Sequence, residues 1–130
     1  MFDLPWYIYL IQFVSGLFLS NGIPHFVQGI SGHWFQTPFA SPPGVGESSP
    51  VINVLWGFLN LVIAFALLLT FTPKGSGVRA QWAVVALGVL LAAVFLAKHF
   101  ASERWTSLTI PRGKSAEFNT RVAAGKVSQR

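Results

Sequence analysis

The chain has no cysteine, which excludes disulfides, thiol redox chemistry and thiolate-held metals. Charge is almost as scarce. Only 10% of the residues are Asp, Glu, Lys or Arg, where a soluble domain carries about a quarter. No charged residue occurs between Asp3 and Glu47, between Glu47 and Lys74, or between Arg79 and Lys98. A surface made from such a chain could not face water on all sides. The sequence also lacks a Walker loop, a dinucleotide fingerprint, a metalloprotease helix motif and a nucleophile elbow. Ser31, Ser48 and Ser49 are the candidate nucleophiles near Glu47 and His25, and none stands in a catalytic motif.

What is present is apolar. Hydrophobic residues make up 52% of the chain and the mean hydropathy is +0.55. A bilayer core takes about 20 apolar residues per helix, and each charge-free stretch holds one such run. The fold expected is all-α, an integral membrane protein of three transmembrane helices. A long Gly/Pro/aromatic loop separates the first two.

The first helix is expected over residues 1–22, with Trp6, Tyr7 and Tyr9 at headgroup level. Asn21-Gly22 is a helix stop, and Pro24 beyond it lacks the N–H needed to continue. The start has no basic region, so it is not read as a cleavable signal peptide. Residues 23–48 form the loop. The second helix is expected over 49–72, with Ser49 as N-cap and Pro50 in the first turn. Residues 73–80 form a turn, residues 81–101 the third helix and residues 102–130 a basic tail. Arg79 and Lys98 can extend from the ends of the third helix toward water.

The net charge of +5 belongs mostly to that tail. Its bases suit anionic lipid headgroups better than nucleic acid, with Arg104, Arg112 and Lys114 as the nearest contacts. Basic residues near the helix ends place the N-terminus outside, and the loop and tail in the cytoplasm.

Polar residues within lipid are costly, so their spacing is informative. Asn53, Gly57, Asn60 and Ala64 recur at steps of three and four, flanked by Trp56. Gln12, Gly16 and Ser20 do the same in the first helix, and Gln81, Gly88, Ala92 and His99 in the third. Small residues let helices approach and amides bond between them, so the stripes predict a packing seam. The sharper reading makes Asn53 and Asn60 the lining of a ligand site.

Three crossings put the ends of helices one and three on one face. His25 and His99 are therefore candidate neighbours there, with Glu47 and Lys98 beside them. Bis-histidine haem ligation is the boldest chemistry this permits. The dipole at a helix C-terminus already favours histidine without a ligand. No metal or cofactor is expected; haem, or a bound lipid or quinone, is the alternative.

The loop is long for a connector. Phe26, Trp34, Phe35 and Phe39 can cover the helix ends or dip among headgroups. Pro38, Pro42 and Pro43 stiffen its return.

The segments "NGIPHFVQGISG", "TPFASPPGVGESSP" and "NVLWGFLNL" resemble the signature of an uncharacterised family of small bacterial integral membrane proteins. The resemblance covers about residues 15 to 65 and implies a bacterial inner-membrane location. It brings no catalytic residue with it. The expected function is a small non-enzymatic subunit packed against a larger membrane complex. The reasons are the missing catalytic set, the 15% aromatic content and more small-residue faces than so small a core requires. A lipid- or quinone-binding or transport protein acting as a homo-oligomer is the first alternative. A haem or enzymatic role for His25 and His99 is the second.

Overall fold

The structure, a computed structural model, describes residues 4–109, with side chains for residues 4–102. The chain divides into two compact units, Met1–Lys98 and His99–Arg130. The packing described here is that of the first.

The fold is all-α. Helix α1 spans Trp6–Ile30, α2 Pro50–Thr70 and α3 Val78–Thr109. All three are long and apolar enough to cross a membrane. The charge-free stretches therefore do correspond to helices.

The end of α1 differs from the sequence expectation. The helix passes straight through Asn21, Gly22 and Pro24 and stops at Ser31. Pro24 removes one backbone donor, a cost that packing overrides here. Gly22 is a contact: a Cβ there would lie 2.9 Å from the Gly57 carbonyl oxygen. Asn21 donates its side-chain amide to Asn60 Oδ1 at 3.1 Å. The stop that operates is the next one. Gly32 takes φ +76°, the Gly32 N–H bonds to the Gly29 carbonyl, and the His33 N–H reaches back to that of Gln28. This pair of bonds is a Schellman closure, which satisfies the last carbonyls of the helix.

The loop consequently begins at Ser31, not at residue 23, and Phe26 belongs to α1. It is folded, not open. Strand β1 (Phe35–Gln36) pairs antiparallel with β2 (Glu47–Ser48), Phe35 opposite Ser48 and Gln36 opposite Glu47. Between them Thr37, 1% exposed, bonds through its N–H to Gly46 and through its carbonyl to the N–H groups of Ala40 and Gly44.

Helix α2 starts as its sequence indicates. Ser49 Oγ accepts the Ile52 N–H, and Pro50 occupies the first turn. Helix α3 is longer than expected at both ends, reaching from Val78 into what was read as the tail. Arg112 and Lys114 lie outside the described residues, as does the Arg104 side chain.

α1 runs antiparallel to α2 and parallel to the Val78–Lys98 stretch of α3. Its C-terminal half meets α2: a Cβ on Gly29 would fall 2.6 Å from the Val54 nitrogen, and one on Gly57 would collide with the backbone of Phe26. Its N-terminal half meets α3, where Gly16 lies against the backbone of Val85 and Val89, and Gly88 against Phe13. Backbone touches backbone at both seams. Only glycine permits that, since a side chain would force the axes apart.

Candidate functional site

The interior is polar and the exterior apolar. The buried residues of α2 are Asn53, Gly57, Asn60 and Ala64, the stripe singled out by its spacing. Gln12, Gly16 and Ser20 are buried on α1, and Gln81 and Gly88 on α3, while Ala92 is half-buried. Among large side chains, Leu55, Phe58, Val62, Phe65 and Leu69 of α2 are instead exposed.

Asn53 is the centre of the loop end. It is fully buried. Its Nδ2 donates toward the carbonyls of Ser48 at 3.0 Å, Phe35 at 3.1 Å and Ser49 at 3.2 Å. Three carbonyls on one side fix which end of the amide is nitrogen. The oxygen must then face His25, whose Nδ1 lies 3.0 Å away. An amide oxygen only accepts, so His25 carries its proton on Nδ1 and donates. The His25 ring also meets Phe35 edge to face, centroids 5.3 Å apart. One side chain thus ties α1, both strands and the N-terminus of α2 together. Helix α2 can present Asn53 there because its first turn is fixed by the Ser49 cap.

Asn60 is held similarly. It accepts from Asn21 and donates from Nδ2 to its own helix at the Trp56 carbonyl, 2.8 Å. The far end of α1 has a third knot. Gln12 Nε2 donates to the Phe71 carbonyl and to Gln81 Oε1, each at 3.0 Å. Gln81 closes back on the turn, giving Nε2 to the Lys74 carbonyl at 2.8 Å and accepting the Lys74 N–H at 3.3 Å. Gln12 Oε1 alone in this knot is buried without a partner.

The proposed histidine pair fares differently. His25 lies inside α1 and is joined to Asn53, with Glu47 exposed on β2 and not its orienting partner. His99 falls in the second unit, where its ring packs on Phe100 and its carbonyl accepts from Ser102 Oγ. Lys98 is exposed like Glu47, and among the described residues no ion pair joins them. No group of three or more His, Cys, Asp or Glu side chains is placed to hold a metal among those residues. Of the candidate nucleophiles, Ser48 Oγ pairs with Thr37 Oγ1, and Ser49 serves as a cap.

Among the loop aromatics, Trp34 is 60% exposed and Phe39 63% exposed. Phe39 stands edge to face on Trp56, centroids 4.8 Å apart. Beside this contact a groove with a volume of about 390 Å³ runs along α2, lined by Phe39, Ser48, Ile52, Leu55, Trp56 and Leu59. Sequence reasoning picked Trp56 and Phe39 separately. It missed the groove, because a loop aromatic has no period that tells which helix residue it covers.

No known family, curated protein or solved structure matches the chain. The site must be read from its own chemistry.

Proposed function

We propose that the protein is a small non-enzymatic subunit of the bacterial inner membrane, packed against a larger membrane complex. Its three helices cross the bilayer, with the N-terminus outside and the loop and tail in the cytoplasm. The membrane part of the reading is supported by the inverted distribution of polarity. Among the described residues, the buried side chains larger than glycine are Ala64, Pro73 and Val85 together with the polar Gln12, Ser15, Ser20, His25, Thr37, Asn53, Asn60 and Gln81. A water-soluble domain buries its apolar side chains and exposes its amides. Hydrocarbon reverses the preference, since an unpaired amide facing lipid has nothing to bond.

One observation carries the accessory role: the amides and histidine of the seam are engaged with one another. Asn53 and Asn60 bond at both ends of their amides, and His25 faces Asn53. Groups engaged in holding helices are not available to a substrate. The outer faces, by contrast, carry long rows of apolar side chains suited to another helix as well as to lipid.

The test is purification of the tagged full chain in mild detergent at native abundance. A larger membrane protein recovered in fixed stoichiometry is the expected result. Recovery of the protein alone, as a monomer or homo-oligomer, would contradict the accessory role, and a Soret band would revive haem. The orientation has its own test, helped by the absence of cysteine. A cysteine at Ser76 should react with an impermeant reagent in intact cells, and one at Ser41 should not. Labelling at both would rule out the three crossings.

A further inference from the structure

Trp56, which lines the groove on α2, carries an unmet hydrogen-bond donor. Trp56 Nε1 is buried and has no partner, whereas the other polar side chain of the lining, Ser48, is bonded to Thr37. The nearest cover described for the indole is the Phe39 ring, set at 85° to it. An aromatic ring is at best a weak acceptor. A buried N–H left in that state is costly, most of all where no water can reach it.

The groove opens outward. Ile52, Leu55 and Leu59 in its wall are among the exposed apolar residues, so whatever surrounds the helices enters it. Trp56 stands six residues beyond Pro50, about 9 Å along the helix axis. The headgroup layer on each side of a bilayer is about 5–7 Å thick. A lipid with its headgroup beside the loop therefore carries its ester carbonyls to about the depth of Trp56, and its acyl chains past Leu55 and Leu59.

We propose that this groove binds one glycerolipid, an ester carbonyl of which accepts the Trp56 Nε1–H as the Phe39 ring gives way. The inference rests on the membrane reading above and is independent of the accessory role. None of the lining residues is charged. Selectivity therefore lies in the ester linkage, and headgroup charge has little influence. Phe39 is mostly exposed and carried on the loop, so its displacement gives up its own contact with Trp56 and disturbs none of the helix–helix contacts.

The test is native mass spectrometry of the full chain, extracted in detergent and exchanged into either an ester-linked phosphatidylcholine or its ether-linked analogue. One retained lipid is expected, with the ester form held about five-fold more strongly, the worth of one hydrogen bond. Trp56→Phe should abolish that preference without changing retention of the ether form. Leu55→Trp should reduce both by filling the groove, and circular dichroism melts will verify that each variant folds. Equal retention of the two lipids by the wild type, or an unchanged preference in Trp56→Phe, would overturn the proposal. So would an added quinone displacing the ester lipid stoichiometrically. A protein that leaves the membrane fraction without detergent would instead overturn the membrane reading on which the proposal rests.

Discussion

The two ends of α1 solve one problem differently. At the loop end, Asn53 is saturated: its nitrogen serves three carbonyls and its oxygen faces His25. At the turn end, Gln12 makes two good bonds through nitrogen and leaves its oxygen buried and unpartnered. The glycine contacts are alike, Gly57 against Phe26 at one end and Gly16 against Val85 at the other. The difference teaches that close backbone approach brings the helices together, while the amides decide what else is held. Asn53 holds a folded loop onto two helices. Gln12 holds the short turn, which Gln81 already braces through Lys74.

The largest effect should come from the glycines. Gly57→Leu places a branched side chain where even a methyl group meets backbone, and overpacking of this kind costs about 3 kcal/mol or more. Folded protein should be lost, measured as abundance in the membrane fraction and protease resistance in detergent. Gly16→Leu should be equally severe at the other end. A stable Gly57→Leu protein would remove the packing seam from the account.

Asn53→Leu comes next. It leaves His25 and the carbonyls of Phe35 and Ser48 without the amide, and stranded buried groups cost about 1–3 kcal/mol in total or more. The helix pair should survive, while limited proteolysis should cut within residues 35–48. Cleavage no faster than in wild type would show that the loop is held by something else.

Gln12→Leu should cost less than Asn53→Leu, under about 1 kcal/mol, because it removes an unpartnered acceptor along with two bonds. Thermal melts of the two variants in one detergent give the comparison. Equal destabilisation would mean that Gln12 Oε1 has a partner in solution. Asn60→Leu should be the mildest, since interhelical hydrogen bonds in membranes average about 0.6 kcal/mol.

The contrast between the ends also shows what the sequence reveals. The stripes were legible because an amide in an apolar run is conspicuous and a step of three or four marks a helix face. Asn53, Gly57, Asn60 and Ala64 needed nothing more. The end of α1 was not legible. Asn21-Gly22 and Ser31-Gly32 are both good stops, and Gly57 on another helix decides between them by packing on Gly22. The strands were hidden because two residues each are too few for alternation. His25 was expected in the loop beyond the first helix; it lies inside α1, and its partner is Asn53, 28 residues away, a bond that no local spacing encodes. Gln12 and Gln81, 69 residues apart, were each assigned to a seam without the pairing being visible.

The measurement that bears most directly on the whole account is a nitroxide scan of α2 in lipid bilayers, feasible because the chain has no native cysteine. Single cysteines at Leu55, Phe58, Val62, Phe65 and Leu69 would be spin-labelled, along with Asn60 and Ala64, and their relaxation recorded with oxygen and with a water-soluble nickel chelate. The account predicts high oxygen and low nickel accessibility at the five apolar positions, and low accessibility to both reagents at Asn60 and Ala64. Nickel access along the apolar face, or oxygen access at Asn60 and Ala64, would contradict it.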